Sequence, residues 1–373
     1  MKIAQVSPLA ERVPPIGYGG TERIVAYLSD ELVRQGHELT LFASGDSITE
    51  GRLVAACDQA VRLDSKVVDP LAHDVFQLEQ VIQQADGFDI IHFHTGYSHF
   101  PFSRRQNTPS VTTFHGRLDV ADLSQLFRKF SDIPVISISN SQRNPFPRMN
   151  WQATVYHGLP VGLYTPGDGN GGYLAFLGRI SPEKRVDRAI KIAERVNMKI
   201  KIAAKIDAAD REYVENEVGP ILDHPLVEFI GECDGTEKEK FLGDAYALLF
   251  PIDWPEPFGL VMIEAMACGT PVIAYREGSV PEVIDSGVTG FIVESIEEAT
   301  QALDNVQYLD RRRCRQIFER RFSSARMAAD YIKVYAKLLS HRKRRRHAMA
   351  KTSGITSEQA PLAASGETSV PRK

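Results

Sequence analysis

The sequence predicts an α/β protein made of two doubly wound parallel-sheet domains that face one another across a central cleft. Apolar runs of strand length alternate with helix-period segments through residues 2–156. The same alternation restarts after a Pro- and Gly-rich stretch, HGLPVGLYTPGDGNGG at 157–172. A chain of 373 residues is also long for one core and comfortable for two domains. Strands that alternate with helices argue for parallel sheets joined by crossovers. Two such units on a linker leave a cleft lined by loops from both carboxyl faces, with closure on a ligand expected.

In the first half, residues 2–8 read as a strand, and Tyr18-Gly19-Gly20-Thr21 opens a helix to about Arg34 with Ile24, Val25, Leu28 and Leu32 on one side. Gly36 stops it, and strands follow at 38–43, 89–94, 110–114, 135–139 and 153–156. In the second half a strand at 173–177 leads to a helix over 182–196, a strand at 199–204 and a polar helix from about Ala208. Strands at 227–230 and 247–252 come next, then strands at 272–275 and 290–293. Helices near 296–306, 311–320 and 325–339 finish the folded part. The expected divisions are therefore 1–160, 161–324, a last helix at 325–340, and a basic tail at 341–373 that reads as disordered.

Hydrophobic content of 43% and charged content of 25% are ordinary for a soluble globular protein. No apolar run reaches membrane-spanning length, and Met1 leads straight into a strand, so a cytoplasmic protein without a secretory signal is expected. The four cysteines are scattered, without Cys-x-x-Cys spacing, which excludes a disulfide frame or a zinc site of that type. A net charge of −4 conceals an asymmetry: 341–373 carry eight Lys/Arg and two Asp/Glu, and the rest carries 36 and 46. Such a tail suits either weak peripheral contact with an anionic membrane or simple solvation; no specific nucleic-acid partner is expected.

The most informative stretch is FPIDWPEPFGLVMIEAMACGTPVIAY at 250–275. It reads as a strand end, a loop with Pro255 and Pro257, a helix admitted by Gly259 and closed by Gly269, and a second strand. Glu256 thus lies at the carboxyl end of a strand, where open α/β sheets bind ligands. The amides of Phe258 and Gly259 start the helix and can face an anion. Glu264 sits in a helix that is apolar all round, so it is predicted to be buried and to need a partner. Taken singly, each acid reads more readily as a structural or solvated charge, and it is their position that argues otherwise.

Arg179 ends a strand and Lys184 follows at a helix start, in GRISPEK. A guanidinium and an ammonium at a strand's carboxyl end can clamp a diphosphate. Gly17, Gly19 and Gly20 follow the first strand, but Glu22 replaces the third glycine of a dinucleotide fingerprint. What remains is a turn where backbone can approach a ligand closely. His115, in TTFHG, ends a strand on the cleft side, where a structural and a functional role weigh evenly. His92 and His94 share one strand face without a third metal ligand in sight.

GYGGTE near the start, TFHG at 113–116, GRISPEK at 178–184, EPFGLVMIE at 256–264, GTPVIA at 269–274 and PEVIDSGVTGFIV at 281–293 occur in order. Together they resemble the family 4 glycosyltransferases, retaining enzymes with the GT-B fold of two Rossmann-like domains. The resemblance spans about residues 1–340 and implies a hexosyltransferase whose acceptor side is the first domain and whose donor side is the second. It implies that Arg179 and Lys184 bind the donor diphosphate with the amides of Phe258, Gly259 and Leu260. Glu264 would hold the ribose hydroxyls, Glu256 would meet the donor sugar, and His115 would contact the transferred sugar. Gly19 and Gly20 would let the first domain approach the donor phosphates or the acceptor, and the last helix would cross back onto that domain. No cofactor or metal is implied beyond the nucleotide-diphosphate sugar, UDP-glucose or a related UDP-sugar being the first expectation and GDP- or ADP-sugars remaining open. The acceptor, whether lipid, glycan or small molecule, is not legible.

Two departures from the family pattern stand out. Many members carry glycine after the lysine where this chain has Arg185, and many carry a glycine-rich turn where it has Lys205-Ile206-Asp207. The alternatives are a nucleotide-sugar epimerase or phosphorylase on the same fold, and a non-catalytic nucleotide-sugar binding protein.

Overall fold

The computed structural model describes residues 1–17, 19–207, 210–233 and 235–354. The expected helix starts at Tyr18 and Ala208, and the tail at 355–373, lie outside the described residues.

Seven strands form the first sheet: β1 (Lys2–Val6), β2 (Glu38–Ala43), β3 (Arg52–Ala55), β4 (Ile90–Phe93), β5 (Ser110–Thr113), β6 (Val135–Ser137) and β7 (Trp151–Thr154). Their order is β3-β2-β1-β4-β5-β6-β7. Six form the second: β8 (Tyr173–Arg179), β9 (Lys199–Lys205), β10 (Val227–Gly231), β11 (Ala247–Phe250), β12 (Val272–Tyr275) and β13 (Gly290–Val293). These run β10-β9-β8-β11-β12-β13. Every recorded strand pairing is parallel. The central strands β4, β5, β11 and β12 are buried along their whole length, which is why they read as continuous runs, as in sheets covered on both faces. In each sheet the order reverses beside the first strand of the domain, and ligand crevices form at such points.

Three expectations need correction. The helix predicted over 182–196 is instead a 3-10 turn, Pro182–Lys184, then Arg185 at φ 54°, then a helix Val186–Arg195. The left-handed residue breaks the helix, so Lys184 lies in a turn ahead of it. The edge strand β3 is short and half-exposed, and its pattern was too weak to stand out. The last helix runs Ser324–Gly354, so a segment expected to be disordered from 341 is helical to 354.

The two domains are joined by two chain crossings that pair with each other. Leu159 bridges Ser323 in parallel register; the Leu159 amide donates to the Phe322 carbonyl (2.9 Å) and the Ser324 amide to the Leu159 carbonyl (2.8 Å). The predicted linker is thus pinned at its start. Glu282 of the second domain accepts from the amides of Asn140 (2.7 Å) and Ser141 (2.8 Å) and from the Tyr156 hydroxyl (2.9 Å) of the first. The last helix then returns beneath the first sheet, where Tyr331 and Tyr335 are fully buried.

The crossing admits no side chain at Gly158, whose added Cβ would stand 2.3 Å from the Ser323 carbonyl oxygen, whereas Gly162 has nothing within 4 Å. Gly158→Ala is expected to cost about 1–3 kcal/mol or more, because backbone must give way. Gly162→Ala should stay within about 0.5 kcal/mol. Chemical denaturation of the two variants side by side checks this.

Candidate active site

The ten residues singled out from the sequence line two adjoining cavities between the domains. One, of about 460 Å³, is lined by Gly19, Gly20, His115, Arg179, Lys184, Glu256, Phe258, Gly259 and Leu260. The other, of about 330 Å³, shares Gly19, Gly20 and Leu260 with the first and adds Glu264. Both volumes are typical of small-ligand sites.

The second domain supplies the charge. Lys184 forms an ion pair with Glu256, and both side chains are largely buried. Its ammonium stands 5.1 Å from the Trp254 ring centre and 5.5 Å from that of Phe250, distances at which aromatic faces attract cations. The Trp254 indole N–H donates to the same Glu256 oxygen at 3.1 Å, and Arg117 of the first domain reaches over the Trp254 ring at 5.7 Å. Arg179, at the end of β8, donates to Glu183 (2.5 Å) and lies 3.4 Å from Asp210 and 3.6 Å from Asp207. Each cation of the expected diphosphate clamp therefore has carboxylate company.

The helix Leu260–Ala267 starts at Gly259, which has φ 76°. A Cβ there would come within 2.8 Å of Met262 and 3.1 Å of the Phe250 ring, so glycine is needed both for conformation and for space. Glu264 is 4% exposed, and the sequence-based need for a partner is met by Lys238 Nζ at 3.2 Å and the Tyr164 hydroxyl at 3.3 Å. Across the cleft Gly20 faces Leu260, whose Cδ1 would be 3.4 Å from an added Cβ. The first domain therefore comes close to this helix at a distance that a Cβ would also tolerate.

His115 is partly open to the cleft, while its ring is enclosed. It lies parallel to His157 with ring centres 5.2 Å apart, and its Nε2 is 2.8 Å from His94 Nδ1. Burial pushes its imidazole, and that of His99, down to about 3 from the ordinary 6.5, and drives His92, His94 and His157 well below it too. His92 and His94 are therefore held neutral and hydrogen-bonded. Among the described residues no group of three or more His, Cys, Asp or Glu side chains is arranged to hold a metal ion.

Sequence reasoning passed over Trp254, Lys238, Glu183, Asp210 and Glu282. Trp254 was readable as an aromatic in the cleft loop, immediately before Pro255. Lys238 carried no local signal, since it lies in a polar helix, Gly235–Asp244, and meets Glu264 only in the fold. No described helix is long and apolar enough to cross a membrane.

Two parallel-sheet domains with opposed carboxyl edges and a charged cleft between them define the GT-B class of proteins. The structure superposes on a sucrose-phosphate synthase from Thermosynechococcus elongatus with TM-score 0.74 at 19% identity, covering 91% of this chain and 100% of that one. It matches AviGT4, a glycosyltransferase involved in avilamycin A biosynthesis, with TM-score 0.69 at 23% identity over 91% and 98% of the two chains. In sequence, residues 18–154 match the model for Glycosyltransferase Family 4 and residues 165–320 that for Glycosyl transferases group 1. The chain belongs to the family 4, group 1 glycosyltransferases. Its relatives include an uncharacterised glycosyltransferase of Methanocaldococcus jannaschii, 26% identical over 79% of this chain and 85% of that protein. Another is an alpha-maltose-1-phosphate synthase of Mycolicibacterium smegmatis, 24% identical over 80% and 87%.

Gly278 has φ 53°, and a Cβ there would lie 2.3 Å from the Glu256 carbonyl oxygen and 2.4 Å from its nitrogen. Gly278→Ala is expected to displace the Glu256 loop and lower turnover by about 10²-fold, as a misplacement near 1 Å does; steady-state assay of the folded variant checks it. The five buried histidines are neutral in the folded state and take protons in the unfolded chain below their ordinary 6.5. Stability is thus highest above that pH and falls as pH drops toward the folded values, by about 1 kcal/mol per histidine between pH 6.5 and 5.5. Denaturant titrations at both pH values measure the slope.

Proposed function

We propose that the protein transfers a hexosyl group from a nucleotide-diphosphate sugar to a hydroxyl acceptor with retention of anomeric configuration. A UDP-sugar is the donor we favour. One observation carries the reading: Arg179, Lys184, Glu256 and the N-terminus of the helix Leu260–Ala267 line one cavity, closed on the far side by Gly19, Gly20 and His115. Support for uridine comes from a structural neighbour, HepE of Anabaena, solved with UDP and glucose, which aligns with TM-score 0.69 at 18% identity.

Cleavage of the anomeric C–O bond places positive charge on the sugar and negative charge on the departing diphosphate. In this reading Arg179 and Lys184 leave their carboxylates for the diphosphate, and the amides at Phe258, Gly259 and Leu260 add the helix dipole. Lys184 then releases Glu256, which accepts hydrogen bonds from donor-sugar hydroxyls. Glu264, held by Lys238 and Tyr164 in the adjoining cavity, accepts from the ribose hydroxyls. The acceptor hydroxyl attacks on the face the leaving group occupies, and the departing phosphate takes its proton.

Incubation with radiolabelled UDP-, GDP- and ADP-sugars tests the donor, through transfer to added acceptors or slow hydrolysis. Lys184→Ala and Glu256→Ala are each expected to lower turnover by about 10²–10³-fold, in line with loss of one preorganised charged contact. Near-normal turnover in either folded variant would remove the assignment. Isomerisation of the sugar, or saturable binding without chemistry, would instead mark an epimerase or a binding protein.

A further inference from the structure

Beneath His115 runs a chain of buried hydrogen bonds that the transfer reaction does not itself call for. His115 Nε2 lies 2.8 Å from His94 Nδ1, and His94 Nε2 lies 2.6 Å from Gln5 Oε1. Gln5 Nε2 donates to the Tyr335 hydroxyl at 3.1 Å, and that hydroxyl lies 2.7 Å from His92 Nδ1. His92 Nε2 is 2.7 Å from Thr113 Oγ1, which donates to the Tyr331 hydroxyl at 3.1 Å. His115 Nδ1 is buried without a hydrogen-bond partner.

Protons can be placed along this chain in two self-consistent ways, set by which end of the Gln5 amide faces His94. If the oxygen does, His94 carries its proton on Nε2 and accepts at Nδ1, so His115 donates from Nε2 and its Nδ1 is a bare acceptor. If the nitrogen does, every bond reverses and His115 carries a proton on Nδ1. Two arguments select the first. The 2.6 Å contact at His94 is too short for an amide nitrogen against a ring nitrogen, and the 3.1 Å contact at Tyr335 is long for oxygen against oxygen. The reversed arrangement would also leave a buried N–H on His115 without an acceptor, a rarer defect than an unpaired acceptor.

We infer that Gln5, His94 and Tyr335 are positioning residues that hold His115 as its Nε2–H tautomer, with Nδ1 an enclosed, unprotonated acceptor that a bound hydroxyl reaches only if the cleft wall gives way. The ring is neutral, since no carboxylate belongs to this chain of bonds and burial disfavours its charged form. The geometry also gives the last helix a function at the site. Its Tyr335, 330 residues from Gln5 in sequence, fixes the amide orientation on which the tautomer depends. The use of that acceptor in transfer rests on the function proposed above; the tautomer does not.

Nitrogen NMR of the free protein labelled at histidine tests this, with His115→Asn assigning the resonance. His115 is expected to show a protonated, pyrrole-type Nε2 and an unprotonated, pyridine-type Nδ1 at neutral pH. Tyr335→Phe leaves the Gln5 amide without its second partner and free to turn over, and Gln5→Leu removes the acceptor for His94. In either variant His115 should shift to a mixture of both tautomers. A proton on Nδ1 in the wild type would overturn the inference, and so would a His115 signal unmoved in both folded variants. Should one variant fail to fold, the other and the wild-type spectrum decide. Because no donor is present, a negative result here stays distinct from a failed transfer assay.

Discussion

The cleft is governed by the need to match charge where water is scarce. Lys184 and Glu256 are mostly withdrawn from solvent, and a charge in that position is costly unless paired. The ammonium is accordingly shared among Glu256 and two aromatic rings, and Arg179 is set among Glu183, Asp207 and Asp210. In the function proposed, this balance becomes a filter. An inorganic phosphate that drew Lys184 away would leave Glu256 and its indole partner with an unmatched carboxylate. A sugar diphosphate supplies anionic oxygens for the cations and hydroxyls for the carboxylate together, so it exchanges both halves of the pair without a buried charge left over.

That balance requires the two sheets to present their carboxyl edges to the same space, and the chain achieves this at its crossings. Leu159 and Ser323 are joined by backbone hydrogen bonds on either side of the bridge. Arg326, just past the second crossing, donates to the Tyr156 and His157 carbonyls at 2.8 and 2.9 Å. His157 in turn lies against His115 and against Phe258, with ring centres 5.2 and 4.8 Å away. The hinge and the site are therefore packed into one another. The three hydrogen bonds that Glu282 accepts from the first domain form a second, separate tie on the same side.

Much of this was legible because it is local. Strands ending in turns of small or polar residues located the carboxyl edges, and the motifs lay on those turns, so parallel topology alone brought Gly19, His115, Arg179 and Glu256 to one cavity. Glu264 was legible through physics, as a charge in an apolar helix that had to be matched. Its partner Lys238 was not, and neither was the pairing of Gln5 with Tyr335, because nothing in either neighbourhood refers to the other. The last helix was cut short for a different reason. Its run of Arg, Lys and Ala has good helix propensity, but its charge reads as the mark of a solvated tail, and the two criteria conflict.

Arg185 shows how a departure from the family pattern is absorbed. At φ 54° it occupies a conformation that costs an ordinary residue about 1–2 kcal/mol, which accounts for glycine at this position in many members. Here the side chain is held in return: its guanidinium donates to both oxygens of Asp187, at 2.9 and 3.0 Å, and to Asp253 at 2.7 Å. Asp253 stands beside Trp254 in the loop that carries Glu256, and its amide donates to the Glu183 carbonyl at 2.9 Å. Glycine would relieve the strain but remove the side-chain tie between the turn bearing Lys184 and the loop bearing Glu256, leaving the Asp253–Glu183 backbone bond to hold them. Arginine therefore exchanges backbone ease for a further tie that helps hold apart, at a set distance, the two side chains on which the charge balance of the cleft depends.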